Sequence, residues 1–123
     1  MRSRPAVLEV LLLSVHPEQC GTPLHRFRDR GATVRMASAP RCALELLRRR
    51  PNLVFVDLVH GPGLDARVVE ALNRPPRVSR VVVLHGGRLD AHLDQVERLA
   101  VDGFCRLARA GGRASRAAGG ARP

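Results

Sequence analysis

The chain has 123 residues, of which 45% are hydrophobic, enough for one domain with a single core. All 21 basic residues are arginine, against 11 acidic residues, and the formal net charge is +10, so no function here can depend on a lysine amine. No apolar run reaches the roughly 20 residues of a membrane span, and no small-residue cleavage site follows the apolar residues 10–13. These features predict a cytoplasmic protein without a membrane segment.

Short apolar runs alternate with helical patterns along the chain. The predicted strands cover residues 6–13, 32–36, 53–56, 81–84 and 104–107. The predicted helices cover residues 17–30, 41–50, 64–72 and 89–100, with stops at Gly31 and Pro51. This alternation predicts βαβ units, right-handed crossovers and a parallel sheet. The predicted fold is a flavodoxin-like, doubly wound α/β domain over residues 1–107, with five strands and the last helix missing.

The missing helix should leave apolar surface on the first helix and the fifth strand. Residues 108–123 contain only Ala, Arg, Gly, Ser and Pro, which predicts a disordered tail. The inward positions of the helices follow from apolar spacing. They are Leu24 and Phe27, then Cys42, Ala43, Leu46 and Leu47, then Val68, Val69 and Leu72, then Leu89, Leu93, Val96, Leu99 and Ala100. The three cysteines, Cys20, Cys42 and Cys105, are far apart and are predicted to be buried free thiols.

Asp57 is the most informative residue, because it closes the apolar run 53–56 and precedes a turn-rich loop. That position places its carboxylate at the carboxyl edge of the sheet, where open α/β folds bind their ligands. Two interpretations remain open from the residues themselves. Asp57 is either a phosphoacceptor, or a carboxylate that caps the following loop or pairs with Arg106.

The segment from Asn52 to Asp65 resembles the receiver domain of two-component response regulators. A strand ending in Asp57, followed by Pro62-Gly63-Leu64-Asp65, is similar to the family's phosphoacceptor strand and Pro-Gly-x-Asp turn. Residues 99–104 are similar to the family's approach to its last strand. The resemblance covers residues 7–107 and implies phosphorylation of Asp57, Mg²⁺ as its cofactor, and a sensor kinase or other regulator as partner.

The chain departs from the family at the remaining active-site positions. The resemblance implies an acidic pair for Mg²⁺ where the sequence has Ser14 and Val15. It implies a hydroxyl where the sequence has His85, and a lysine where it has Leu107 or, with a shift of one residue, Arg106. Ser14, His85 and Arg106 are therefore the candidate phosphoryl contacts. Without carboxylates to hold Mg²⁺, phosphoryl transfer loses its main electrostatic stabiliser. The departures favour a degenerate receiver, which needs no cofactor unless it is competent for Mg²⁺-dependent phosphorylation.

Three histidines, His16, His60 and His85, follow predicted strands at the same edge as Asp57. Together they offer ligands for Zn²⁺, but their spacing matches no metal motif, so no metal site is predicted. The sequence also has no nucleophile elbow and no glycine-rich phosphate loop, so we do not expect an enzyme.

The leading hypothesis is a degenerate receiver that signals by protein–protein contact through its fourth helix and fifth strand, with a partner protein or a second copy. The first alternative is a phosphorelay receiver phosphorylated on Asp57 with help from Arg106. The second is a basic module that binds nucleic acid through the arginines at 48–50 and in the tail. The absence of a helix-turn-helix and of an aromatic platform for bases argues against the second alternative.

Overall fold

A computed structural model describes residues 7–60, 64–87 and 93–107. Five parallel strands form one sheet in the order β2-β1-β3-β4-β5. The strands are β1 Glu9–Leu13, β2 Thr33–Ala37, β3 Leu53–Asp57, β4 Arg80–His85 and β5 Gly103–Arg106. This is the strand order of flavodoxin-like doubly wound sheets, so the predicted fold class is confirmed. The predicted lack of a last helix and the predicted tail fall on residues 108–123, which lie outside the described ranges.

Four helices connect the strands. They are α1 Gly21–Asp29, α2 Pro40–Leu47, α3 Ala66–Asn73 and α4 Leu93–Arg98, and a 3₁₀ turn, Pro17–Cys20, precedes α1. The predicted start of the last of these helices, at residues 89–92, lies outside the described ranges. No helix in the described part of the chain is long and apolar enough to cross a membrane.

The sheet is buried on both faces, which explains why its central strands are almost continuously apolar. On one face, side chains of β1, β3 and β4 pack against α2 and α3 and against Leu99, which follows α4. On the other face, Val10, Leu12, Phe55 and Leu84 pack against Leu24 of α1 and Cys20 of the 3₁₀ turn. The sheet is thus the centre of a three-layer core, and its carboxyl edge is rigidly supported.

Several element ends differ from the sequence-based prediction. The segment predicted to open the first helix is the 3₁₀ turn, in which Gln19 N donates to His16 O at 3.0 Å, so α1 begins only at Gly21. Gly31 follows the end of α1 with φ +87°, which explains why a glycine stands there. The helix predicted to run to Arg50 ends at Leu47, and the N–H groups of residues 48–50 donate to carbonyls three positions earlier, which forms turns instead of a further helical turn.

Burial corrects some predicted inward positions. Cys42 is exposed and Cys105 is half-buried, so only Cys20 is a buried thiol. Leu93 is 50% exposed, although its spacing in α4 predicted a buried position. Cys42 in α2 and Leu93 in α4 each belong to a short helix. In such a helix, spacing alone does not distinguish a core position from a boundary position.

Candidate functional site

Pairing of β1 with β3 brings the residues that follow their apolar runs to one point at the carboxyl edge. Leu13 is registered with Val56, so Ser14 and Asp57 are neighbours. The Asp57 side chain is fully buried, and Ser14 Oγ donates a hydrogen bond to Asp57 Oδ2 at 2.5 Å. The structure thus brings together two of the sequence-predicted site residues, Ser14 and Asp57.

The loop after β3 folds back onto the same carboxylate. The backbone N–H groups of Val59 and His60 lie 2.8 and 3.3 Å from Asp57 Oδ1, and His60 Nδ1 lies 2.8 Å from Asp57 Oδ2. Asp57 therefore caps the loop that follows its own strand, as a short Asx turn does.

Cys20 is the member of this cluster that the sequence analysis missed. Its Sγ lies 3.4 Å from Asp57 Oδ2, 3.7 Å from Ser14 Oγ and 3.8 Å from His60 Nδ1. The residue reaches the site because the 3₁₀ turn after β1 directs it back under the sheet edge. No spacing in the sequence signals this placement, since a regular helix over the same residues would direct Cys20 elsewhere.

The electrostatics of the cluster follow from burial and hydrogen bonding. Burial alone would raise the pKa of Asp57, but hydrogen bonds from Ser14, His60, Val59 and Cys20 outweigh it and hold this pKa below its usual value. Burial, with a further contribution from the Asp57 charge, raises the pKa of Cys20 to about 12. The site without a bound ion is therefore a buried carboxylate surrounded by donors, one of them a neutral thiol.

His85 and Arg106, the other two predicted contacts, face each other on β4 and β5 rather than contacting Asp57. His85 Nδ1 accepts from Gly87 N at 3.0 Å, and its ring lies edge-on to Phe104 with 6.2 Å between centroids. The Arg106 guanidinium lies over Gly87, where an added Cβ would come within 3.2 Å of it. Within the described ranges, Asp57 contacts His60 Nδ1 at 2.8 Å and forms no ion pair with Arg106.

A cavity of about 70 Å³ lies on the other side of Asp57, lined in part by Ser14, Val15 and Asp65. Asp65 is already engaged, because its Oδ1 accepts from Arg67 N at 2.8 Å and caps α3. Two carboxylates line this cavity among the described residues. Asp65 caps α3, and Asp57 does not. A hard cation such as Mg²⁺ prefers several carboxylate oxygens, and among the described lining residues only Asp57 and Asp65 carry them, each already accepting hydrogen bonds from the fold.

The His16 ring lies beside the cluster, and the His16 backbone N–H donates to Ser14 Oγ at 3.0 Å. Its ring is edge-on to that of His60 with 6.4 Å between centroids, and its Nδ1 is 3.6 Å from Glu18 Oε1. The His16 side chain is half exposed, so the ring can turn without losing packing. Of the three predicted edge histidines, His60 is therefore in the cluster, His16 is adjacent to it, and His85 belongs to the β4–β5 side.

Comparison with known proteins identifies the fold. The N-terminal domain of a three-domain response regulator from Carboxydothermus hydrogenoformans matches with a TM-score of 0.64, at 20% identity over 83% of each chain. Chemotaxis protein CheY4 from Vibrio cholerae matches with a TM-score of 0.65, at 14% identity over 85% of this chain and 90% of that one. NtrX from Brucella abortus matches with a TM-score of 0.65, at 21% identity over 88% of this chain and 25% of NtrX.

The chain has the receiver fold. No protein-family model matches it, and a search of curated proteins found no match. The match to solved receiver domains therefore confirms the architecture that the segment around Asp57 suggested, while identities of this size leave the roles of individual residues to be argued from the site itself.

Proposed function

We propose that this chain is a degenerate receiver domain that acts in signalling by contact with a partner protein, without phosphorylation of Asp57. The observation that carries the proposal is the neighbourhood of the Asp57 carboxylate. Its Oδ2 atom already accepts from Ser14 Oγ at 2.5 Å and from His60 Nδ1 at 2.8 Å, and its Oδ1 atom accepts from Val59 N at 2.8 Å. This is a non-enzymatic role, and we place it in the cytoplasm.

The missing cation ligands support the same conclusion. A phosphoryl group arriving beside a buried, ionised carboxylate needs a cation to offset the charge, and that is the role of Mg²⁺ in phosphoryl transfer. Ser14 and Val15 occupy the positions where the carboxylates for that ion would stand, and Val15 is 45% exposed with no ligand atom to offer. Arg106, the substitute cation, is held over Gly87.

Exposed apolar surface supports contact with a protein. Phe104 on β5 and Leu93 on α4 are 52% and 50% exposed, on the face that the sequence analysis assigned to output. A groove of about 590 Å³ lies between α1 and β5, where Phe27, Phe55 and Leu107 form apolar lining. In doubly wound sheets a helix normally covers the sheet face beside the first helix and the last strand. The groove and the exposed side chains of Phe104 and Leu93 are therefore suited to bind a helix of a partner protein.

The charge of the groove indicates what kind of partner fits it. Three arginines, Arg26, Arg30 and Arg106, are among the described residues that line the groove, and none of these lining residues is acidic. The chain's own residues 108–123 add four arginines and no large apolar side chain, and are therefore poorly complementary. An amphipathic segment with acidic side chains, from a different protein, is complementary in both respects.

Nucleic-acid binding is less well supported, although five arginines line an open groove between α2 and α3. They are Arg48, Arg50, Arg67, Arg74 and Arg77. Three of these five already pair with Asp65, Glu70 and Asp102. Paired arginines release fewer counterions from a phosphate backbone, so the groove is a weaker polyanion site than its composition suggests.

Intact-mass measurement after incubation with Mg²⁺ and acetyl phosphate tests the proposal. We expect no phosphate adduct on the wild-type chain under conditions that modify an ordinary receiver assayed in parallel. An adduct that disappears in the Asp57→Asn variant would overturn the proposal and establish the phosphorelay alternative. For any partner then found, binding that falls steeply with added salt and extends to nucleic acid would favour the basic-module alternative.

A further inference from the structure

Three different metal-ligand atoms converge at the sheet edge. Cys20 Sγ, Asp57 Oδ2 and His60 Nδ1 all lie within 4.8 Å of one another. They come from two parts of the chain: Cys20 lies in the 3₁₀ turn, while Asp57 and His60, three positions apart, lie at the end of β3 and in the loop after it, so the cluster is a product of the fold rather than of one sequence motif.

The spacing of these atoms matches a tetrahedral transition-metal site. With Zn²⁺ bond lengths of about 2.0–2.3 Å to O, N and S, neighbouring ligand atoms stand roughly 3.3–3.6 Å apart. The observed separations are 3.8 Å for Cys20 to His60, 3.4 Å for Cys20 to Asp57, and 2.8 Å for His60 to Asp57. Only the last must widen, by about half an ångström, to admit the ion between its ligands.

We propose that Cys20, Asp57 and His60 form a Zn²⁺ site. Thiolate and imidazole ligands select a borderline-soft ion such as Zn²⁺ over Mg²⁺, which prefers oxygen ligands in octahedral geometry. The site differs in ligand type from a hard-cation site built of carboxylates, and it does not depend on any role of the chain in signalling.

Neighbouring groups hold the ligands in position. Ser14 Oγ donates to Asp57 Oδ2, and Val59 N donates to Asp57 Oδ1, so the carboxylate is fixed from both sides. Such hydrogen bonds around a ligating carboxylate orient it and commonly strengthen metal binding. Ser14 is therefore a positioning residue for the ion.

His16 is the histidine nearest to the three ligands among the contacts described. Its ring lies 6.4 Å from that of His60, centroid to centroid, and its backbone N–H donates to Ser14 Oγ at 3.0 Å. A turn of this exposed ring, or a water molecule, completes four-coordination. On binding, the ion takes the place of the thiol proton of Cys20, which passes to solvent, and a neutral His60 carries its ring proton on Nε2 so that Nδ1 is free to bind the ion.

Metal binding by the untagged full-length chain tests this site. We expect one Zn²⁺ per chain in competition with a coloured chelator, and a thiolate-to-metal charge-transfer band when Co²⁺ is the probe. Cys20→Ser should abolish the band, and His60→Gln should weaken Zn²⁺ binding at least about tenfold. The matched control is Cys42→Ser, which removes an exposed thiol on α2 and should leave both readouts unchanged.

A melting-temperature shift of the wild-type chain provides a readout that does not depend on the variants folding. Zn²⁺ should raise the melting temperature, whereas equal concentrations of Mg²⁺ should not, because an ion that binds only the native state stabilises it. Absence of stoichiometric Zn²⁺ binding, or Zn²⁺ binding that survives Cys20→Ser and is lost in Cys42→Ser, would overturn the proposal.

Discussion

Asp57 combines two properties that oppose each other, namely full burial and a full set of donors. Burial penalises its charge, but four neighbouring donors stabilise the anion and lower its pKa. In a working phosphoacceptor the same carboxylate must remain free to attack phosphorus. Here both carboxylate oxygens accept hydrogen bonds from the fold, so the charge of Asp57 contributes to the stability of the sheet edge.

This use of the charge predicts how stability depends on pH. The pKa of Asp57 is below its usual value of 3.8, so the stabilisation by its charge is fully present above that pH and is lost as pH falls through the lower folded-state pKa. We expect Asp57→Asn to lower the free energy of unfolding by about 2 kcal/mol at neutral pH, the usual worth of hydrogen bonds to a buried charge. Urea unfolding from pH 7 to pH 2.5 measures this.

The difference in the free energy of unfolding between wild type and Asp57→Asn should shrink below pH 4, as pH falls towards and through the lowered folded-state pKa of the wild-type carboxylate. Asp29→Asn, which removes the same charge from an exposed position at the end of α1, is the control and should track the wild type within about 0.5 kcal/mol. A difference in the free energy of unfolding between wild type and Asp57→Asn that stays constant down to pH 2.5 would contradict the stabilising role of the Asp57 charge.

At the scale of elements, the sequence predicts the strands well and the connections poorly. A continuous apolar run such as 53–56 is typical of a strand that is buried between two helical layers. The position of this strand and the sheet edge at which Asp57 stands therefore follow from the order of residues in the sequence. Cys20 could not be placed, because its direction depends on a 3₁₀ turn in place of the first turn of a helix. His85 and Arg106 are registered with each other one position beyond Leu84, which is registered with Asp57, and this register could not be read from the sequence.

Gly31 shows how a correctly predicted end can be tested. Its φ of +87° is costly for any residue with a Cβ, while no atom lies within 4 Å of where a Cβ would stand. Gly31→Ala should therefore destabilise the chain by about 1 kcal/mol through backbone conformation alone. Thermal or urea unfolding measures the loss.

Gly31→Asn is the matched comparison, because asparagine tolerates the left-handed region better than alanine. We expect it to cost less than Gly31→Ala despite its larger side chain. The reverse order would mean that space, rather than backbone conformation, governs this position.

For the whole molecule, the net charge and the lining of the groove both disfavour contact between two copies of the chain. The apolar groove between α1 and β5 is bordered by arginines, and the chain as a whole carries a net charge of +10. Two copies meeting at this groove would bring like charges together without acidic groups to offset them, which is strongly unfavourable in a desolvated interface.

We therefore expect the chain to be a monomer at micromolar concentration and low salt, where electrostatic repulsion is strongest. Sedimentation velocity measures this directly. If the chain forms a dimer that is disrupted by Phe27→Ser but not by Phe104→Ser, the groove is occupied by a second copy and the acidic-partner assignment is wrong.

The most direct test of whether the sheet edge has lost receiver chemistry uses two backbone amides. The N–H groups of Val59 and His60 donate to Asp57 Oδ1, so their NMR signals report on that carboxylate. We predict that millimolar Mg²⁺ with beryllofluoride, a phosphoryl mimic, leaves both signals in place. A saturable shift of both, requiring Mg²⁺ and lost in Asp57→Asn, would show that Asp57 still binds a phosphoryl group and contradict the assignment as a degenerate receiver.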